Sequence, residues 1–123
     1  DVSPKGDPAG FVKILDEKTL AIPDRPGNRK ADTLRNIIQN PNVGLIFLIP
    51  GVKETLRVNG EAKVVTDKRV LELLSCNDKQ PSFAIIVNVK EAFMHCAKCI
   101  IRSNLWMNTD ESQKQSLPSL AQA

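Results

Sequence analysis

Three cationic residues lie within residues 25–30 of this 123-residue chain. Arg29 and Lys30 fall in the first turn of a predicted helix for which Asn28 is the candidate N-cap, and Arg25 lies just upstream. A cation in that position faces the positive end of the helix dipole, which costs roughly 0.3–1 kcal/mol. A phosphate monoester would accept hydrogen bonds from the free N–H groups and from the cations, so the cluster predicts an anion site. A solvated basic turn is the competing interpretation.

The second group with chemical potential is residues 96–99, which read Cys-Ala-Lys-Cys and follow His95. A zinc site needs four ligands, and only the isolated Cys76 remains to complete one, so no metal is predicted. A redox dithiol would want its first cysteine at a helix N-terminus after a strand, which the pattern allows. Because a lone C-x-x-C is a weak motif, the favoured interpretation is two small residues on a packed helix.

Other polar residues do not form a catalytic constellation. The acidic residues at 16–17, 67 and 110–111 are predicted to be solvated surface groups, and Ser3 has neither a nearby histidine nor a nucleophile-elbow sequence. His95 is more often a hydrogen-bonded structural residue than a catalyst. Trp106 is either an interface anchor or a core side chain.

The first half of the chain predicts two strands, a helix and a third strand. Residues 11–15 and 19–22 are predicted to form strands around a polar turn at 16–18. An apolar stripe at Ala31, Leu34, Ile37 and Ile38 predicts a helix that Asn40-Pro41 ends. The nearly continuous apolar run at 43–49 predicts a strand buried on both faces.

The second half alternates more clearly. Residues 55–65 alternate apolar and polar side chains, and Gly60 predicts a bulge or bend in that strand. Thr66 or Asp67 is expected to cap a short helix, residues 83–89 to form another strand, and the segment after His95 to be helical. The fold class is therefore mainly β with short helices, an antiparallel barrel over residues 1–107 followed by a polar C-terminal tail at 108–123.

Composition excludes several classes of protein. Aromatic residues make up 4% of the chain and the net charge is +3, which disfavours a nucleic-acid surface built on stacked rings or on a dense basic stripe. The longest apolar run is too short to span a bilayer, so no membrane partner is predicted. Three cysteines and no visible secretory leader favour reduced thiols and a cytoplasmic location.

Several motifs together resemble a known family. The run Asn28-Arg29-Lys30-Ala31, the Asn-Pro that leads into the strand at 40–47, and the strand at 57–62 are similar to signatures of the pyridoxamine 5'-phosphate oxidase-like superfamily. Residues 1–8, 23–28, 95–98 and 102–106 more closely resemble a bacterial subgroup of FMN-dependent enzymes within it. The resemblance covers nearly the whole chain.

The resemblance implies an FMN-binding split β-barrel that forms a homodimer, with flavin at the subunit interface and a small-molecule substrate. Arg29 and Lys30 match the family's phosphate-contacting pair, while Asn28 stands where true oxidases have serine. The other positions that it implies near the cofactor are Ser3, Lys5, Asp24, Arg25, Thr55 and Lys98, with His95 and Arg102 as further candidates for the cofactor rim.

The resemblance also has departures. No counterpart is found for the C-terminal residues that clamp pyridoxal phosphate in true oxidases, so it does not predict a vitamin B6 substrate. Family members usually carry a helix and a barrel strand before the segment that starts at Asp1, so residues 1–123 alone are expected to build an incomplete barrel. The expected function is an FMN-dependent oxidoreductase. The alternative is a non-enzymatic flavin- or haem-binding carrier or sensor with the same barrel.

Overall fold

One five-stranded antiparallel sheet forms the body of the protein. The computed structural model describes residues 1–25 and 32–107. Its strands are β1 (Lys13–Asp16), β2 (Thr19–Asp24), β3 (Asn42–Phe47), β4 (Thr55–Val65) and β5 (Phe83–His95), and its helices are α1 (Asp32–Gln39), α2 (Lys68–Leu73) and α3 (Lys98–Ser103). The strand order is β1-β2-β5-β4-β3. The expectation of a mainly β, antiparallel protein with short helices is confirmed.

The long strand β5 is the spine of the sheet. Its first half pairs with β2, and it pairs with β4 along almost its whole length, from Ala84 opposite Val65 to His95 opposite Thr55. The strand predicted at 83–89 covers only the first half. The exposed second half, which mixes polar and apolar side chains, is a strand because β4 supplies it with a hydrogen-bonding partner.

A β-bulge interrupts the β4–β5 ladder beside Gly60. The bulge was expected in β4, but the extra residue is Lys90 of β5, because Asn59 pairs with Glu91 and Gly60 pairs with Val89. A Cβ atom on Gly60 would lie 2.3 Å from the backbone oxygen of Asn88. The glycine is therefore required by the close approach of the two backbones.

Each face of the sheet carries one helix. On one face Ile37 of α1 packs with Ile22, Ala62, Ile85 and Val87. On the opposite face α2 supplies Leu71, which packs together with Leu74, Ala21, Ala84 and Ile86. Consecutive residues of β5 thus enter opposite cores, as the two-residue period of a strand requires. We call this region, made by β2, residues 61–65 of β4 and residues 83–87 of β5, the covered half.

Local signals account for the ends of these elements. Asp67 caps α2, because its carboxylate accepts from the backbone N–H of Arg69 at 2.9 Å. In the β1–β2 turn Asp16 accepts from the backbone N–H of Lys18 at 2.8 Å, and this hydrogen bond lowers the pKa of the Asp16 carboxyl. The N-cap predicted at Asn28 lies outside the described residues.

The rest of the sheet is less covered, although Val43 and Leu45 of β3 are partly buried against the core under α1. We call β3, residues 55–59 of β4 and residues 91–95 of β5 the open half. The 55–59 segment of β4 has two buried side chains, Thr55 and Val58, whereas β3 and residues 91–95 of β5 have none. The expectation that the 43–49 strand is buried on both faces is wrong, because β3 is an edge strand that turns Ile46, 61% exposed, to the surface.

The chain turns back onto this open half after β5. In α3 Ile100 is buried, and the left-handed Asn104 ends the helix. The indole Nε1 of Trp106 then donates to the backbone oxygen of Val52 at 2.7 Å, which ties the α3 end to the β3–β4 loop. No helix within 1–25 and 32–107 is long and apolar enough to cross a membrane.

Candidate functional site

The N-terminal segment brings several expected site residues to the end of β2. The Oγ atom of Ser3 lies 2.9 Å from Oγ1 of Thr33 in the first turn of α1, so the two hydroxyls share a hydrogen bond. The ammonium of Lys5 lies 3.6 Å from a carboxylate oxygen of Asp24, the last residue of β2. Ser3, Lys5 and Asp24 therefore form one polar cluster between β2 and α1.

Arg25 is held by protein groups on all three of its nitrogens. Its Nε donates to the Asp7 carboxylate, and its Nη2 and Nη1 donate to the backbone oxygens of Leu74 at 2.7 Å and Lys79 at 3.3 Å. Arg25 and Asp7 are both about four-fifths buried, with 22% and 23% of their side chains exposed. Arg25 thereby joins the N-terminal segment to the α2–β5 loop and fixes the point where β2 leaves the sheet.

A cavity of about 500 Å³ opens beside Arg25. It lies on the α2 side of the sheet, and its walls come from the N-terminal segment and the α2–β5 loop: Asp7, Pro8, Arg25, Cys76, Asn77, Lys79 and Gln80. The Cys76–Lys79 hairpin that forms one wall is tight, with Asn77 and Asp78 both at positive φ.

Charge at the N-terminal cluster is balanced within the described residues. Lys5 is paired with Asp24 and Arg25 with Asp7, so neither cation brings an unbalanced positive charge. Asn28, Arg29 and Lys30, the residues expected to hold a phosphate, lie outside the described residues and connect Arg25 to Asp32 in the sequence.

The start of α2 shows that cations in the first turn of a helix do not by themselves indicate an anion site. Lys68 and Arg69 occupy the first turn of α2, where Asp67 provides the cap. The first turn of α2 thus holds a Lys-Arg pair beside the carboxylate of Asp67. Two cations in a first turn are compatible with an ordinary surface helix. The assignment of a phosphate to Arg29 and Lys30 therefore needs an independent observation.

The remaining expected site residues meet at the far end of the β4–β5 ladder. Thr55 begins β4 opposite His95, the last residue of β5, and Lys98 begins α3 three residues later. Thr55 is 3% exposed and is the one buried polar residue in the described part of the chain, whereas His95, Lys98 and Arg102 are exposed. No fully buried side-chain nitrogen or oxygen within these residues lacks a hydrogen-bond partner.

The structure thus separates the expected site residues into two groups. The Asp24 end of β2 pairs with Phe83 at the start of β5, whereas Thr55 pairs with His95 at its end. Twelve residue steps of the 13-residue β5 separate these two positions, roughly 40 Å along the strand at about 3.3 Å per residue. One chain does not bring Lys5 and Lys98 to the same point.

Two contacts of the N-terminal cluster, made by Thr33 and Asp7, were not predicted from the sequence. Thr33 meets Ser3 across 30 residues of sequence, and Asp7 meets Arg25 across 18. Only the motif at residues 1–8 pointed to this region, and no spacing rule predicts either pair. Within the described ranges no three His, Cys, Asp or Glu side chains converge as metal ligands would.

Comparison with known proteins bears on both the fold and the site. A sequence profile of the family described as pyridoxamine 5'-phosphate oxidase matches residues 1–96, which is more than three-quarters of the chain. No curated protein sequence matches significantly.

Solved structures with a similar fold include HupZ of Group A Streptococcus, at 18% identity over 68% of each chain with a TM-score of 0.56. A histidine-to-alanine variant of HupZ gives 18% identity and a TM-score of 0.57 over 69% of this chain and 73% of that one. A Lactobacillus delbrueckii protein attributed to the oxidase family superposes less well, with a TM-score of 0.49 at 23% identity over 68% of each chain. The expected class, an antiparallel split β-barrel, is confirmed.

Proposed function

Because the chain belongs to the pyridoxamine 5'-phosphate oxidase family, we propose that it is a flavoprotein that binds FMN between two copies of itself and acts as an oxidoreductase. The observation that carries the proposal is the family match over residues 1–96, which spans every expected cofactor residue except Lys98 and the rim candidate Arg102. The arrangement of the described site residues is the second support, since it suits a ligand shared by two chains.

In this proposal one chain holds the phosphate end of the flavin. Arg29 grips the phosphate through paired N–H donors, Lys30 adds a point charge, and Asn28 replaces the serine of true oxidases. Ser3 and Thr33 contribute hydroxyls beside the start of α1, where they lie 2.9 Å apart. Arg25 acts through Asp7 and two backbone oxygens by fixing the end of β2, which precedes Asn28, Arg29 and Lys30 in the sequence.

The second copy contributes the other end of the site. Thr55, Lys98 and the rim residues His95 and Arg102 lie at the opposite end of β5 from Lys5 and Asp24, so a single flavin meets both groups only if they come from different chains. The open half supplies apolar surface for such an interface, because Ile46 and Met94 are each 61% exposed and Phe93 is 38% exposed.

FMN would supply the electron-transfer chemistry when bound, and the protein would supply binding, orientation and charge. Lys5 is the cation proposed nearest the isoalloxazine, and its pairing with Asp24 at 3.6 Å holds its position. The described site residues include no general acid–base pair, which agrees with chemistry that depends on the cofactor. We place the protein in the cytoplasm, where its free cysteines would remain reduced at rest.

The phosphate assignment is tested by titrating the purified protein with FMN and with riboflavin. In the Arg29→Ala/Lys30→Ala double variant we expect the free energy of FMN binding to become less favourable by several kcal/mol. Each charge-assisted hydrogen bond contributes ~1.5–3 kcal/mol. Riboflavin affinity should change little, since riboflavin has no phosphate. The matched control is Lys68→Ala/Arg69→Ala, which removes the same charges from the first turn of α2 and should leave both affinities unchanged.

Equal losses for both ligands in the first variant, or an equal FMN loss in the control, would contradict a phosphate role for Arg29 and Lys30. A colourless protein that also fails to bind added FMN would refute the flavoprotein assignment itself. An intense Soret band in the purified protein would favour the haem-binding alternative. Bound flavin without turnover of reduced nicotinamide or of any oxidisable substrate would favour a carrier or sensor.

Sharing between chains is tested by mixing two defective variants. Arg29→Ala/Lys30→Ala damages one end of the site and Lys98→Glu the other, so each homodimer should bind FMN weakly. If the two variants are unfolded and refolded together, half of the dimers should be mixed, and each mixed dimer contains one intact site. Recovery of tight FMN binding in the mixture is expected, and a mixture no better than either parent would contradict a site built from two chains.

A further inference from the structure

The turn between β5 and α3 presents two cysteines that the proposed flavin site does not use. Cys96 directly follows the last residue of β5, and Cys99 lies in the first turn of α3. Both are free and exposed. The expectation that they are small residues on a packed helix is wrong, because α3 packs through Ile100 and leaves both thiols at the surface. Exposure of two neighbouring cysteines is unusual for a residue type that is among the most buried.

The backbone between the two cysteines turns tightly and brings them close together. Ala97 has φ −78° and ψ −3°, and Lys98 is the first residue of α3, so both central residues of the Cys96–Cys99 turn are in the right-handed helical region. The Cα separation across such a turn is set by its two central residues and stays below about 7 Å. Disulfides span Cα separations of about 4.4–6.8 Å, so a turn of this kind holds the two cysteines close enough for the bond.

The third cysteine is far from this pair. Cys76 lies in the hairpin before the start of β5, and Cys96 lies after its end, so the length of β5 separates them. Cys76 is half-buried beside Arg25 and Lys79, in the wall of the cavity. Any disulfide within one chain must therefore join Cys96 to Cys99.

We propose that Cys96 and Cys99 form a redox-active dithiol site that exchanges with small disulfides such as oxidised glutathione. One thiolate of the pair attacks a sulfur of the small disulfide, which forms a mixed disulfide and releases one small thiolate. The other cysteine thiolate then attacks the protein sulfur of that mixed disulfide and releases the second small thiolate. The protein dithiol is oxidised by two electrons, one small disulfide is reduced to two thiols, and the two thiol protons pass to water or to the leaving thiolates.

The inference is independent of the proposed flavin function, although Lys98 lies inside the disulfide ring. Closing the ring would fix the backbone on both sides of Lys98, a residue that we assign to the second chain's part of the cofactor site. If that assignment holds, FMN affinity will differ between the reduced and oxidised protein.

The test uses the full chain without added flavin, equilibrated in buffers of reduced and oxidised glutathione, then quenched, alkylated and digested with trypsin. Cleavage after Lys90, Lys98 and Arg102 gives peptides 91–98 and 99–102, each with one cysteine of the pair. We expect the two peptides to be joined by a disulfide in oxidising buffer and separate in reducing buffer.

Three serine variants complete the experiment. Cys96→Ser and Cys99→Ser should each trap the remaining cysteine as a glutathione mixed disulfide, at least about tenfold more than in the unaltered chain, because the second step is lost. Cys76→Ser is the matched control and should leave the joined peptides unchanged. Peptides 91–98 and 99–102 that never join, or that join only between chains at high protein concentration, would overturn the proposal whether or not the protein binds FMN.

Discussion

The covered and open halves of one sheet differ sharply in what holds them together. In the covered half, β2, β4 and β5 lie between α1 and α2, and Leu74 and Val87 are almost completely buried. In the open half the same strands β4 and β5 continue with β3 beside them, yet Ile46 and Met94 are 61% exposed. Strand pairing is continuous across both halves. The covered half therefore holds most of the buried apolar side chains in the described part of the single chain, and the open half is the part that would gain from the proposed second chain.

The largest difference between the halves should appear when a large apolar side chain is shortened in each. Leu74→Ala removes a side chain that is 2% exposed and should lower the free energy of unfolding by about 2–5 kcal/mol. Ile46→Ala removes one that is 61% exposed and should cost less than about 0.5 kcal/mol in the dissociated chain. Urea unfolding at low protein concentration measures both, and similar losses would contradict the division into two halves.

A smaller loss is expected where the two halves join. A methyl group on Gly60 would meet the Asn88 backbone oxygen, which has no flexible side chain to move aside. Gly60→Ala should therefore lower the free energy of unfolding by about 1–3 kcal/mol, the range for overpacked sites. Gly6→Ala, where a Cβ atom meets nothing within 4 Å, is the control and should be near neutral. A Gly60→Ala protein as stable as this control would mean that the bulge at Lys90 can shift.

The smallest effect on the single chain, and the sharpest test of the open half, is a charge at Ile46. In Ile46→Glu the new carboxylate lies opposite Arg57, so the free energy of unfolding should change by less than about 0.5 kcal/mol. The dissociation constant of the proposed dimer should nevertheless rise at least about tenfold, since a tenfold change corresponds to about 1.4 kcal/mol.

Ile14→Glu is the matched control for that measurement, because Ile14 is 77% exposed on the opposite edge strand β1. Sedimentation velocity at several concentrations separates the outcomes. If the Ile14 variant dissociates the dimer and the Ile46 variant does not, the second chain binds elsewhere and the open half has another role.

Local chemistry made several parts of the fold predictable from sequence. The alternation at 55–65 predicted β4 with the bounds it has, because each residue of a half-buried strand reports the face it lies on. Asp67 was one of two predicted caps for α2, and its carboxylate can reach only the N–H groups of the next turn. The family resemblance was likewise carried by short runs, and the match over residues 1–96 confirms it.

Expectations that depended on distant partners were less successful. The apolar run at 43–49 predicted burial, yet whether a strand is central or at an edge depends on which strands pair with it. The bulge was correctly associated with Gly60 but lies across the ladder at Lys90, because a glycine is needed where the opposing backbone comes close.

In the candidate site, too, local features were predictable from the sequence and long-range contacts were not. The amino-acid sequence by itself determined which side chains could hold a phosphate or exchange a disulfide, because that capacity belongs to the residue type and its immediate neighbours. Only the tertiary structure decided that Lys5 and Lys98 lie at opposite ends of β5 and that Arg25 is bound by Asp7 and two backbone oxygens. Pairing in an antiparallel sheet joins residues far apart in sequence, so it is set by the free energy of the whole fold and leaves little trace in local spacing.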